Sequence, residues 1–282
     1  MQGWKAFIPT GKKIEYIDAL LQVGFDTLDF GSFVSAKAIP QMADTTEVLK
    51  GLQNIHSNTK LLAIVANTRG AAEAAAFDEI TYLGFPFSVS ETFQHRNTNS
   101  TIAEALKRVG EIQDICINNN KELVIYISMG FGNPYGDEYS AEIVYSWIRK
   151  ISSLGVKIIS VADTVGLATP GEVSKITESV IKEFPGHEIG VHLHSSPAGW
   201  KDKIDAALAA GCARFDGALK GIGGCPMAND DLVGNIDTEL LIPYFQEKKL
   251  LTNINQVALR RASEIAAELF NQESKIANQK SG

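Results

Sequence analysis

The sequence predicts a (β/α)8 TIM barrel, of which this chain supplies seven strands. Three observations lead there. Short β-rich apolar runs alternate with longer amphipathic helical patterns from end to end, the signature of parallel strands with helices outside. The polar and glycine-bearing positions sit just after many different runs: Asp29, Asn67, Met129-Gly130, Asp163, His192/His194 and Gly217. A barrel gathers its site from the C-terminal ends of several strands. Finally, no G-x-G-x-x-G follows the early strands, which disfavours a doubly wound dinucleotide-binding sheet.

The elements follow in order. A helix over 12–24 places Ile14, Ile17 and Leu21 on one face. Strand 25–30, helix 44–53, strand 61–65, helix 70–76 and strand 79–84 come next. Asn99 and Ser100 offer N-caps for a helix running to about 119. The run LVIYISM (123–129) is almost continuously apolar, as for a strand covered on both faces. Helix 140–153, strand 156–161, helix 171–183, strand 188–193, helix 198–210 and a strand near 214–218 continue the alternation. Helices at about 237–248 and 254–270 close it. Residues 1–270 read as a single domain and 271–282 as a polar tail. Seven strands leave one to be supplied before residue 1, and MQGWKAFIPT reads as the loop after it.

Composition narrows the class. With 45% hydrophobic and 21% charged residues the chain is ordinary globular protein. A net charge of -7 without a basic stripe argues against a nucleic-acid partner. No apolar run reaches the roughly 20 residues that span a bilayer, so no membrane partner is expected. Three sparse cysteines, Cys116, Cys212 and Cys225, fit a reducing cytoplasm better than a disulfide scaffold. A homodimer is admitted by the sequence but not required.

Chemistry concentrates at a few positions. His192 and His194 end a strand two residues apart, so both side chains share a face, while Val191 and Leu193 turn to the helix layer. Two imidazoles there are placed to hold a divalent metal; one buried and one surface histidine is the plainer alternative. Asp163 ends the buried run VKIISVAD, where a carboxylate needs a partner, a metal or a job. A turn or N-cap role is its alternative. Asp29, inside TLDFGSF, is similar, with a structural hydrogen-bond acceptor as its alternative. The loop GIGGCP (221–226) has the glycines of a segment that closes and reopens, and it bears Cys225, a candidate proton donor. An incidental cysteine in a turn is the alternative. Of Asn229, Asp230, Asp231 and Asn235, which follow, most read as solvated loop residues, though one amide could reach a metal.

Six segments together resemble the hydroxymethylglutaryl-CoA lyase family: residues 31–52, 90–106, ISMGFGNPYGD (127–137), SVADTVGLATPGEV (160–173), VHLH (191–194) and GGCPMANDDLVGN (223–235). The resemblance implies a Mg²⁺ or Mn²⁺ enzyme that splits 3-hydroxy-3-methylglutaryl-CoA, an acyl-CoA substrate, into acetyl-CoA and acetoacetate, in leucine degradation. It also implies that His192, His194 and Asn235 bind the metal. Asp163 would be a catalytic acid/base carboxylate, Cys225 would help protonate the enolate, and Asp29 would stand where relatives have a glutamate. The chain departs from the pattern in four places. The family's Arg-Asp pair would precede residue 1, so the chain reads as an N-terminally shortened copy. Asp29 is one methylene short. Ser195 follows HLH where relatives have Asp. The loop before Asn235 is one residue longer. These departures leave open a lyase for another 3-hydroxyacyl-CoA, or a non-catalytic barrel.

Overall fold

The protein is described by a computed structural model covering residues 1–4, 6–223 and 233–270. Seven strands form one all-parallel sheet in simple chain order: β1 (Thr27–Phe33), β2 (Lys60–Val65), β3 (Ile80–Ser88), β4 (Glu122–Ser128), β5 (Ile158–Asp163), β6 (Glu188–Leu193) and β7 (Arg214–Phe215). The sheet curls into most of a barrel. Among the described residues, β1 and β7 are its edges and do not pair with each other.

Among the described residues ten α-helices accompany it: α1 (Thr10–Leu21), α2 (Thr45–Gly51), α3 (Thr68–Ala75), α4 (Glu91–Thr98), α5 (Ile102–Asn118), α6 (Ala141–Ser153), α7 (Pro170–Glu183), α8 (Trp200–Ala209), α9 (Thr238–Glu247) and α10 (Gln256–Phe270). The main core lies between sheet and helices, with Leu83, Phe85, Ile125, Ile159, Val191 and Leu193 facing Ala105, Val109, Ile148 and Val180. A smaller cluster, Leu62, Tyr82, Val124 and Ile158, fills the inside of the curl. Every residue of β5 is buried, as expected for a parallel strand covered on both faces.

The register explains how interior positions are selected. Leu62 pairs with Tyr82, Gly84 with Val124, Tyr126 with Ser160, Ala162 with His192 and Gly190 with Arg214, so these residues share the inner face. A bulge in β1 slips the ladder between Asp29 and Gly31. The extra residue, Phe30, goes into the outer core, and Asp29 stays level with the inner residue Leu62.

Three sequence expectations differ from the structure. β3 runs on to Ser88, where the sequence suggested a stop at Gly84. Pro86 usually marks a strand's end. Here Leu83, Phe85 and Phe87 keep the outer face buried, and pairing with β4 continues through Pro86–Tyr126. Helix α4 was not anticipated, because its sequence ETFQHRNT has no apolar period. It is held by polar contacts instead: Ser90 caps Phe93 N, and Asp137 accepts from Ser90 and from Thr92 N at 2.9 Å. Asn99 and Ser100 therefore do not start the next helix. Asn99 ends α4 at φ 50°, and Thr101 caps α5 in a capping box with Glu104. The expected tail at 271–282 lies outside the described residues.

Candidate active site

The first half of β1 and the C-terminal ends of β6 and β7 bring four polar side chains into one cavity: Asp29, His192, His194 and Asp216, joined by Asn235. Alternation along β6 does the first part of this. His192 is on the inner face with Ala162, and His194, just past the strand, follows on the same side. Their Nε2 atoms approach to 3.3 Å and their ring centres to 5.3 Å. An antiparallel bridge from His194 to Asn235 draws the returning chain alongside. That approach requires glycine at 223. Gly223 has φ +94°, and a Cβ there would meet Asn235 Nδ2 at 2.8 Å.

The surroundings treat the two imidazoles differently. His192 Nδ1 is 3.0 Å from Asp216 Oδ2, and the Tyr126 ring meets its edge with centres 5.8 Å apart. Burial works to lower its pKa, but the bond to Asp216 and that carboxylate's charge outweigh it, and the net shift is upward. His194 is buried and has no such partner. Burial, then the neighbouring His192, push its pKa down to about 4. At neutral pH it presents a lone pair. Asp216 was not singled out from the sequence, although its place two residues after Arg214 puts it on the same inner face.

These groups fit a divalent metal. Asn235 Nδ2 donates to Ile222 O at 2.8 Å, which fixes the amide. Its Oδ1 is buried beside both imidazoles, without a well-formed hydrogen bond to either. Two ring nitrogens and one buried amide oxygen thus converge. The carboxylate behind His192 is the support that metal-binding histidines ordinarily have. Among the described residues no trio of His, Cys, Asp and Glu makes such a cluster, and the amide is the group that could join the two imidazoles.

Asp29 opens onto the same cavity with protein on its other sides. That enclosure, with repulsion from Asp216, outweighs the nearby positive groups and pushes its pKa up from 3.8 to about 7. A raised folded-state pKa means the protonated carboxyl favours folding. This stability is complete below about pH 4 and is lost as pH rises through about 7. Asp29→Asn should therefore melt higher than wild type at pH 8, and the gap should close towards pH 4. The gain is about 1 kcal/mol once the shift is discounted for the group's exposure. Thermal melts of metal-free protein at the two pH values check it.

Asp163 stands elsewhere. It is level with Leu193, on the outer face, and does not border the cavity. Both of its oxygens are engaged, Oδ1 by Ala168 N at 3.1 Å and Oδ2 by Lys203 Nζ at 2.7 Å. The expectation that it opens into the mouth is corrected by one step of strand alternation: Ala162, not Asp163, shares the face of His192. Asn67 lines the cavity but caps α3 through Gly70 N. Asn133 is used within its own loop by Tyr135 N and Asp137 N. Cys225 lies outside the described residues.

A family model described as HMGL-like matches residues 1–266. The chain is 33% identical to the cytoplasmic 3-hydroxy-3-methylglutaryl-CoA lyase of Homo sapiens, over 98% of this chain and 75% of that protein. It is also 33% identical to the mitochondrial hydroxymethylglutaryl-CoA lyase of Bos taurus, over 98% and 85%. Among solved structures it is similar to the HMG-CoA lyase of Acinetobacter baumannii in complex with coenzyme A and 3-methylmalate, at 31% identity and TM-score 0.88 over 95% of this chain and 87% of that one. The HMG-CoA lyase of Brucella melitensis gives 31% and 0.87 over 95% and 94%. The carboxyl transferase domain of Rhizobium etli pyruvate carboxylase, at 17% identity and TM-score 0.67, shares the fold alone. The chain therefore belongs to the HMGL-like family, and it is an enzyme of the lyase type.

Proposed function

We propose that this lyase uses Mg²⁺ or Mn²⁺ to cleave 3-hydroxy-3-methylglutaryl-CoA into acetyl-CoA and acetoacetate. The observation that supports it most is the convergence of His192 Nε2, His194 Nε2 and the buried Asn235 Oδ1 on one side of the cavity. Those three would hold the metal. When bound, it supplies a Lewis acid for the substrate's 3-hydroxyl and a carboxyl oxygen. The named activities of the human and bovine relatives, and the coenzyme A in the Acinetobacter complex, support an acyl-CoA substrate. The human relative's name also supports a cytoplasmic setting.

The chain's own residues then have distinct tasks. Asp29, with a pKa near neutrality, is matched to take the 3-hydroxyl proton. As that O–H bond gives up its proton, the C2–C3 bond breaks. C3 becomes the ketone of acetoacetate, and the electron pair passes to the acetyl-CoA enolate. One proton delivered to that carbon completes the second product, and Cys225 is the donor we assign. Asp216 keeps the His192 ring oriented from behind. Asp163 is given no proton, because its carboxylate faces the helix layer.

Stripping the protein with a chelator should abolish acetoacetate formation, and Mg²⁺ or Mn²⁺ should restore it. Full turnover in the stripped protein would overturn the metal-dependent reading.

A further inference from the structure

Lys203, in the first turn of α8, makes a buried three-way tie beside the candidate metal site. Its Nζ donates to Asp163 Oδ2 at 2.7 Å, to the backbone oxygen of His194 at 2.9 Å and to that of Gly166 at 3.2 Å. An ammonium has three hydrogens, so the tie uses all of them. It joins the end of β5, the turn after it and the residue just past β6. Neither Lys203 nor Asp163 borders the cavity.

We propose that Lys203 and Asp163 are a positioning pair that fixes the His194 imidazole through its backbone, and that Asp163 transfers no proton. The contrast between the histidines carries the argument. A ligating imidazole is ordinarily aimed by a partner on its other nitrogen. His192 has one, Asp216 at 3.0 Å. The His194 ring has no carboxylate behind it: Nδ1 is buried without a well-formed hydrogen bond, and the groups beside the ring are His192, Asn235 and the Val233 backbone. The aim of the His194 ring therefore rests on backbone groups and packing. That backbone lies beyond the last paired residue of β6 and is gripped at two points, the bridge to Asn235 and the carbonyl bond from Lys203. Asp163 completes the grip by compensating the ammonium inside the fold. A buried ion pair is an inefficient way to gain stability, since apolar residues of similar volume often pack as well. Apolar residues would not hold a carbonyl in place.

The proposal rests on the reading of His194 as a ligand, and two readouts keep the questions apart. One is the imidazole ¹H–¹⁵N spectrum of the metal-free full chain. The other is Mn²⁺ affinity by electron paramagnetic resonance. The variant is Asp163→Asn with Lys203→Met, which removes both charges with little change of shape. It should keep a cooperative melt. Its His194 signals should shift while those of His192 stay, and its Mn²⁺ affinity should weaken about 10- to 100-fold. Both limbs of its pH–rate profile should keep their positions at reduced height. Wild-type His194 signals, or a lost limb, would overturn the proposal. If wild type binds no Mn²⁺, the metal reading fails, and the pair is judged on the imidazole spectrum alone. Should the double variant not fold, Lys203→Arg decides. A planar guanidinium keeps the charge for Asp163 but does not reproduce the three-way geometry, so unchanged His194 signals there would also overturn it.

Discussion

Replacing His194 with alanine should reduce kcat/KM for acetoacetate release by about 1000-fold or more, with the fold intact. The size follows from the role. A Lewis acid at the substrate oxygens contributes several kcal/mol of transition-state stabilisation, and each 1.36 kcal/mol is a factor of ten. The bridge between His194 and Asn235 is made by backbone and survives the substitution, so losing the ring leaves a space beside Asn235 rather than a broken strand end. Asp216→Asn should cost less, about 10- to 100-fold, because it acts only by orienting His192. His187→Ala serves as the control. That histidine precedes β6 at the strand's other end, where it bonds Ser152 Oγ at 2.8 Å, and its loss should leave turnover near wild type. Steady-state rates at saturating Mn²⁺, with far-ultraviolet circular dichroism on each variant, check the series. Near-normal turnover in His194→Ala would remove the histidine from the site.

The second large effect is on stability. Lys203→Met alone should destabilise the protein by about 3–5 kcal/mol, because it leaves the Asp163 carboxylate in the helix layer with its charge uncompensated. For a chain of this size that lowers the melting temperature by on the order of 10 °C. Adding Asp163→Asn to the same protein should recover most of the loss, since the buried charge is then gone. Denaturant melts of the single and double variants measure both numbers and their coupling. A single variant as stable as wild type would mean that water or a rearranged side chain compensates Asp163.

Much of this arrangement could be read from the amino acids, and the failures have physical causes. Strand β6 was legible to the residue because EIGVHL alternates cleanly, and the same alternation put His192 and His194 together. The alternation rule, applied one strand earlier, would have turned Asp163 outward. It was assigned to the mouth because a carboxylate after a buried strand attracts a functional reading, and its true partner, Lys203, lies 40 residues away on a helix face. Asp216 was missed for a related reason. β7 pairs over two residues only, too short for a period to show. Asp29 faces inward by plain alternation, level with Leu62, but the bulge at Phe30 that follows it shifts Gly31 onward, and no residue type announces a bulge there. Helix α4 has no apolar stripe, so hydrophobic periodicity could not find it. Its signal was a cap, Ser90, answered by Asp137 across a loop. Contacts between distant segments were the illegible part; face and order within a segment were not.

The account's central claim is tested most directly by product analysis: metal-loaded protein incubated with 3-hydroxy-3-methylglutaryl-CoA, with acetyl-CoA and acetoacetate quantified together. It predicts the two products in equal amounts, formation abolished in His192→Ala and His194→Ala, and no turnover of 3-hydroxyacyl-CoA esters that lack the free carboxylate. Protein that folds and binds metal yet releases neither product from this substrate would contradict it.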